Sequence, residues 1–387
     1  MRRLDFTVKT GGEDRKPLTI EGDFSRDRVV YVSADPQPYF LDEPAAEPEP
    51  DAESAPVSEA ETSAAGEPEP EETAAEPAVQ VDAPQETETS VEPAPLSDLE
   101  PAPERVKALS DAFEVRFAEP PVREVPISFR LDPVTLAGVD PKKVSIWRYV
   151  ETGSVGSSLP RGPVRAAASS GGYWEPIGGK ADPVSGQVNG YITGSGIYAV
   201  MSSSRTFEDI QDHPYRYEIE VLLAQGIING YNEHEFRPDN GISRAEFAKV
   251  IVKAAHAAMA EESSPFRDVG PAHWANAYVA AAARAGLVNG YSADRFGPSD
   301  PITREQAAAI ADRTGGVKRL GDAAVANVLG RVQDREQISE YARAAAAGVL
   351  EAGMIDPVDG RFRPKEPATR AVVAKLIVEL MVNLGYL

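Results

Sequence analysis

Hydrophobic and polar positions change their period along the chain. Between residues 110 and 202 apolar residues alternate with polar ones in short runs. These are Phe113–Phe117, Ile127–Leu131, Val144–Tyr149, Tyr173–Ile177, Gln187–Ile192 and Ile197–Met201. Period two marks half-buried strands, and turn residues such as Asp140-Pro141 and Asp182-Pro183 separate them, so six strands of a small β-sandwich are expected. Alternation puts Ile146 and Trp147 on opposite faces, so one of them is a candidate for exposure, whereas Trp147 and Trp174 as a pair read first as core aromatics. Residues 1–40 carry weaker β signals: Phe6–Thr10 and Leu18–Gly22 flank Gly11-Gly12 as a hairpin, with Val29–Val32 as a third run.

From residue 207 the period becomes helical. Ile219, Leu222 and Leu223 stand at i, i+3 and i+4, and Phe247, Val250 and Ile251 repeat that spacing. The most apolar late segment, Val372 to Val382, is interrupted by Lys375 and Glu379, so it reads as a packed amphipathic helix and not a membrane span.

Residues 41–105 show neither period. From Leu41 to Glu104 there are 20 Asp+Glu, 12 Pro and no Lys or Arg. Little apolar surface and mutual repulsion predict a disordered acidic Pro/Glu/Ala linker. That stretch also relocates the net charge of the chain, which is -22 from 61 acidic and 39 basic residues. Removing the 20 leaves 41 acidic against 39 basic, a net of -2. The folded parts are therefore near neutral. They carry no basic patch of the kind nucleic acid requires, so nucleic acid is excluded as a partner. An anionic partner is not excluded.

Candidate chemistry is sparse. Cysteine is absent, which removes disulfides, thiolate metal sites and any Cys nucleophile. The four histidines, His213, His234, His256 and His273, form no metal-ligand pair, and no metal or cofactor is expected. No nucleophile elbow or phosphate loop is present, and the densest carboxylates lie in the linker, so no catalytic residue is expected. Met1-Arg2-Arg3 is followed by no apolar run, so no signal peptide is visible.

The informative feature is a threefold internal repeat. Unit one has Phe207-Glu208-Asp209, Gly226-Ile227-Ile228-Asn229-Gly230-Tyr231, Phe236-Arg237-Pro238 and Ile242-Ser243-Arg244-Ala245-Glu246. Unit two has Phe266-Arg267-Asp268, His273-Trp274, Gly286-Leu287-Val288-Asn289-Gly290-Tyr291, Phe296-Gly297-Pro298 and Ile302-Thr303-Arg304-Glu305-Gln306. Unit three keeps Val332-Gln333-Asp334, Gly353-Met354-Ile355, Phe362-Arg363-Pro364 and Ala368-Thr369-Arg370-Ala371. Arg244 to Arg304 is 60 residues and Arg304 to Arg370 is 66, and Phe236, Phe296 and Phe362 keep the same offsets. Independent landmarks moving together identify a real repeat.

Each unit parses as helix–loop–helix. Gly226 and Gly286 stand where a left-handed C-terminal cap belongs. Ser243 with Glu246, and Thr303 with Gln306, form capping boxes, while Thr369 can cap without a reciprocal partner. Neither face of one unit can be buried alone, so the three are expected to pack together. Arg244, Arg304 and Arg370 each put a cation at the positive end of a helix dipole. Two explanations stand open: an anion site built from the guanidinium and free helix N–H groups, or an ion pair to a neighbouring unit through Asp209, Asp268 or Asp334.

These landmarks resemble the S-layer homology domain, present as three consecutive modules over residues 204–260, 261–320 and 321–387. The resemblance implies a pseudo-threefold helical bundle that docks a surface protein on the cell wall through a secondary polysaccharide, often bearing pyruvate ketals. It implies polysaccharide contacts from Arg244, Arg304 and Arg370, from Trp274 and its counterpart Tyr341, from the turns at Gly230 and Gly290, and from Asp209 and Asp268. Unit one has Pro214 in place of the tryptophan, and unit three has Asp356-Pro357 in place of Asn-Gly, so the three grooves are expected to differ. The overall expectation is multidomain: a short β segment at 1–40, the linker 41–105, a β-sandwich-like domain at 110–203, then the all-α bundle.

Three functions remain open on the sequence. The first is a non-catalytic, extracellular, wall-anchored protein with S-layer self-assembly as a further partnership. The second is the anchoring end of a larger secreted glycan-degrading enzyme. The third is an adhesin using the β domain, which an exposed aromatic ridge at Trp147 or Trp174 would favour. All three require export, so the visible Met1 implies either an internal fragment or a start further upstream.

Overall fold

A computed structural model of the protein describes residues 2–7, 17–22, 79–82, 89–121, 124–151, 171–259 and 262–387. The chain divides into two units, Met1–Glu72 and Thr73–Leu387. In the first, strands β1 (Arg2–Thr7) and β2 (Pro17–Gly22) pair antiparallel, with Leu4 opposite Ile20; the expected run Phe6–Thr10 overlaps β1 only at Phe6 and Thr7, and its remainder lies outside the described residues. The expected run Val29–Val32 lies outside the described residues, as do residues 41–78 and 83–88 of the acidic stretch.

In the second unit the described residues contribute ten strands. They are β3 (Val79–Val81), β4 (Thr89–Ala94), β5 (Val106–Ala108), β6 (Ala112–Phe117), β7 (Val125–Arg130), β8 (Val144–Glu151), β9 (Gly172–Gly178), β10 (Lys180–Asp182), β11 (Gln187–Ile192) and β12 (Gly196–Ser203). One sheet runs β10-β11-β7-β3 and the other β4-β6-β12-β8-β9, with β5 also on β12; every pairing is antiparallel. A one-turn helix, α1 (Pro133–Ala137), starts on the Asp132 side chain and lies between β7 and β8. All six strands expected from alternation are present. Their inward residues, among them Val115, Ile127, Phe129, Ile146, Val188 and Val200, form one core.

The linker expectation for 41–105 fails over the described residues 79–82 and 89–105. β3 pairs with β7 and β4 pairs with β6, so this segment belongs to both sheets. Val79, Val81 and Val91 supply the alternation, and Pro93 is tolerated because β4 is an edge strand. The chain between them and β6 then crosses the outer face of the larger sheet. Leu96, Leu99, Ala102 and Val106 cover Trp147, Tyr149, Trp174 and Met201. Ile146 and Trp147 are thus both fully buried, although they point to opposite faces. Trp174 Nε1 donates to Glu100 O at 2.9 Å, and its ring meets Tyr149 edge-on at 5.3 Å. No aromatic ridge is left at these positions.

The helices follow from residue 216. They are α2 (Arg216–Ala224), α3 (Arg244–Ala254), α4 (Asn276–Arg284), α5 (Arg304–Arg313), α6 (Asp322–Leu329), α7 (Arg343–Glu351) and α8 (Arg370–Asn383). α2/α3, α4/α5 and α7/α8 are the three helix pairs of the repeat, and α6 occupies the longer connection before the third. Both capping boxes are present, and Thr369 caps α8 alone. Gly226 and Gly286 take φ of +68° and +70°, which a side chain would strain. No helix among the described residues is long and apolar enough to cross a membrane.

The second helix of each pair packs on the first helix of the next: α3 on α4, α5 on α7, α8 on α2. One continuous core results, to which Phe236, Phe296 and Phe362 each contribute a ring that is no more than 1% exposed. Each such ring is worth roughly 2–3 kcal/mol of burial. At the centre three backbone bonds close a triangle. Ile242 N donates to Ala368 O (3.1 Å), Ala368 N to Ile302 O (2.8 Å), and Ile302 N to Ile242 O (3.0 Å).

The sandwich docks on α2 through polar contacts. The Gln225 side chain, 2% exposed, donates to Lys142 O (2.9 Å) and Val144 O (3.0 Å) and accepts from Gly179 N (3.0 Å). Ser145 Oγ donates to Ala224 O at 2.7 Å. Glu220, also buried, accepts from Lys143 Nζ and Arg216 Nε, both at 2.7 Å.

Candidate functional site

The three arginines bring the units together. Arg244 donates from Nε to Phe296 O (2.9 Å) and from Nη2 to Asn289 O (2.7 Å) of unit two. Arg304 donates likewise to Phe362 O (2.7 Å) and Asp356 O (2.8 Å) of unit three. Arg370 donates to Phe236 O (2.9 Å) and Asn229 O (2.8 Å) of unit one, which closes the ring. Arg244 and Arg304 are 6% and 4% exposed, and burial lowers the pKa of all three from the ordinary guanidinium value. A guanidinium remains charged even so.

The helix starts hold no free N–H groups. At α3, Arg244 N donates to Asp300 O, Ala245 N to Pro298 O and Glu246 N to Ser243 Oγ. α5 repeats the pattern with Glu366 O, Pro364 O and Thr303 Oγ1. α8 repeats it with Asn240 O, Pro238 O and Thr369 Oγ1. A neighbouring turn thus supplies the carbonyls that answer both the helix dipole and the cation. Among the described residues, what each arginine keeps without a hydrogen bond is its Nη1 group.

The aspartates do not pair with these arginines either. Asp209 accepts from Phe236 N and Arg237 N, Asp268 from Phe296 N and Gly297 N, and Asp334 from Phe362 N and Arg363 N, at 2.6–3.1 Å. They shape the turn whose carbonyl the arginine grips. Burial pushes the Asp268 carboxyl up, but the two N–H groups outweigh it and hold the pKa below its usual value.

Gly230 and Gly290 are set by packing. A Cβ there would lie 2.3 Å from Phe207 and 2.4 Å from Phe266 respectively. In unit three Val332 replaces the phenylalanine, and Pro357 stands in the glycine's place. Backbone crowds the same spots, with Asn232 O 2.5 Å from a Cβ at 230 and Ser292 O and Arg295 O 2.5 and 2.6 Å from one at 290, so the ring is only part of the constraint.

Exposed aromatics rim the interfaces. Tyr291 lies 4.6 Å from the Arg244 guanidinium and Tyr231 5.0 Å from that of Arg370, and both rings are accessible. In unit three the tyrosine position is Val358. Trp274 is 42% exposed and stacks on His273. Tyr341 is 60% exposed, and its OH donates to Glu305 Oε1 at 3.2 Å; burial and that carboxylate push its pKa up to about 12. Tyr231 and Tyr291 were visible in sequence only as the residue after each Asn-Gly turn. Their place beside a cation of another unit depends on ring closure.

Residues 206–248 and 265–308 match the S-layer homology domain. The chain is similar to an amylopullulanase of Thermoanaerobacterium thermosulfurigenes, 30% identical over 248 residues, which is 64% of this chain and 12% of that protein. It is similar to a cellulosome-anchoring protein of Acetivibrio thermocellus, 31% identical over 119 residues, covering 29% of this chain and 26% of the relative. It is also similar to a surface-layer 125 kDa protein of Lysinibacillus sphaericus, 30% identical over 113 residues, covering 28% and 10%. The chain therefore spans about a quarter or less of each of these relatives.

Proposed function

We propose that this chain, which carries S-layer homology domains, anchors a surface protein non-covalently to the cell wall through an anionic secondary polysaccharide and has no catalytic role of its own. The third helix pair, 321–387, acts as a diverged third module. The observation that supports this most is the exposed aromatic beside a guanidinium at two of the three unit interfaces, buried at Arg244 and half-buried at Arg370. An aromatic face suits a sugar ring, and the remaining N–H edge of the guanidinium suits a carboxylate such as a pyruvate ketal. Trp274 and Tyr341 extend this aromatic rim, while Asp209, Asp268, Gly230 and Gly290 hold the turns in shape without touching ligand.

A pull-down of the full chain with purified sacculi tests the proposal. Binding is expected to vanish once the non-peptidoglycan polymer is removed. Binding that survives removal overturns it. A second proposal, that the chain is the anchoring end of a longer glycan-degrading enzyme, draws support from the amylopullulanase likeness. The adhesin alternative loses its support, because Trp147 and Trp174 are buried.

A further inference from the structure

The Arg304 interface differs from the other two in the residue that receives the guanidinium. Asn229 and Asn289 fill that position elsewhere, and here it is Asp356. The Asp356 carboxylate reaches back into the interface. Its Oδ2 accepts from Tyr215 OH at 2.7 Å and from Lys375 Nζ at 2.5 Å. The Lys375 side chain is 17% exposed and also lies over the Tyr215 ring. Burial opposes ionisation of Asp356, but Lys375, Tyr215 and the charge of Arg304 outweigh it, so the carboxyl stays below its usual pKa. The cations at this interface already have an anion, and it belongs to the chain. The exposed tyrosine beside the guanidinium of the other interfaces is here Val358.

The Arg370 interface carries the same lysine without a carboxylate in the turn; the carboxylates whose charge reaches Arg370 are Glu246 and Asp209, and both already accept from N–H groups of the chain. Lys249 stands five residues after Arg244, as Lys375 stands five after Arg370. The turn residue is Asn229, which brings no charge. Among the described residues Lys249 Nζ has no hydrogen-bond partner. Burial lowers its pKa, Glu246 opposes that, and Arg370 adds to it. Glu246 is held by its capping box, where Oε2 accepts from Ser243 N and Ser243 Oγ at 2.9 Å. Arg370 and Lys249 thus share this interface, and Lys249 lacks a direct partner; the exposed Tyr231 ring lies 5.0 Å from the Arg370 guanidinium and 4.4 Å from that of Arg237, which pairs with Glu235. At the Arg244 interface the lysine position is Ala309, and the second cation near the Tyr291 ring is the exposed Arg295, 5.4 Å from it and 3.8 Å from Asp300.

We propose that Asp356 is a resident anion that closes the Arg304 interface to an acidic sugar, so that the Arg370–Lys249 interface takes the carboxylate of the wall polymer, with Tyr231 against the sugar. The proposal rests on the anionic-polymer function above and assigns it to one interface.

Calorimetric titration of the full chain tests it. The probe is the methyl glycoside of an N-acetylhexosamine bearing a 4,6-pyruvate ketal, with the ketal-free sugar as control. The wild type is expected to show one strong, ketal-dependent site. Lys249→Gln is expected to weaken that site at least tenfold. Asp356→Asn, which restores the residue type of the other two turns and so preserves folding, is expected to add a second ketal-dependent site. Unchanged affinity in Lys249→Gln, or unchanged stoichiometry in Asp356→Asn, overturns the assignment and leaves the anchoring function standing. No ketal-dependent binding by either the wild type or Asp356→Asn overturns the acidic-sugar function itself.

Discussion

Replacing Arg304 with alanine separates a residue that holds the ring from one that only meets ligand. The side chain is 4% exposed and donates to two carbonyls of unit three, Phe362 O and Asp356 O. Its removal leaves both acceptors without that donor at a buried interface, at roughly 1–3 kcal/mol each. Relief of the guanidinium's own burial offsets part of this, so a net loss of about 3 kcal/mol is expected. In a folded unit this large, each kcal/mol moves Tm by about 2–3 °C, so the variant should melt about 6–9 °C lower. Arg304→Lys keeps the charge but not the two-pronged donor, and should recover about half. Differential scanning calorimetry of the three proteins decides the matter. An Arg304→Ala protein melting within about 1 °C of wild type would refute the ring-holding role. It follows that lost sacculus binding in this variant, taken alone, cannot identify a ligand contact.

Three further outcomes are expected. Gly290→Ala pushes a methyl group to 2.4 Å from Phe266, so it should cost about 1–3 kcal/mol by chemical denaturation; a neutral effect would remove the packing explanation. Burial raises the Glu305 carboxyl, but Lys365 and Ser339 outweigh it and hold its pKa below the usual value. The unfolded chain then takes up this proton first as pH falls, so the stability the carboxylate contributes is present above about pH 4.3 and lost below it. The Tm difference between wild type and Glu305→Gln should therefore shrink from pH 7 to pH 3, and a constant gap would contradict it. Gln225→Ala unpairs Lys142 O, Val144 O and Gly179 N at the sandwich–bundle junction and should cost about 2–4 kcal/mol. Calorimetry should then split the transition into two, and one unshifted transition would argue against a stabilising junction.

Local signals in the sequence located what local physics controls. The six strands, both capping boxes and the left-handed glycines all depend on neighbours a few residues away. The strands β3 and β4 were hidden because their valines are few and sit among prolines and glutamates. Only the partner strands β7 and β6 make edge strands of them. Coverage of Trp147 by residues 96–106 was hidden for the same reason, since alternation reports which face a residue occupies and not what lies over that face. The arginines posed a correct puzzle, a cation at the wrong end of a helix dipole. Its answer was not legible. The compensating groups are backbone carbonyls about 50 residues away or, for Arg370, more than 130 away, and carbonyls leave no mark in sequence. Asp356 was visible as a departure from Asn-Gly, but its meaning depends on Tyr215, which lies 141 residues earlier.

The triangle of bonds among Ile242, Ala368 and Ile302 also limits what evolution or an engineer can do to the bundle. A stack of repeats has two ends, frays from them, and lengthens or shortens by whole units at small cost. A ring of three has no end. Unit three bonds back to unit one through Arg370, so no unit can loosen without opening two interfaces together. For the same reason a fourth unit could not be inserted without breaking a contact that already closes the circle. Copy number is fixed at three by geometry. Variation then enters through substitutions within the interfaces, and the three turns, with asparagine at two and aspartate at one, already differ in that way.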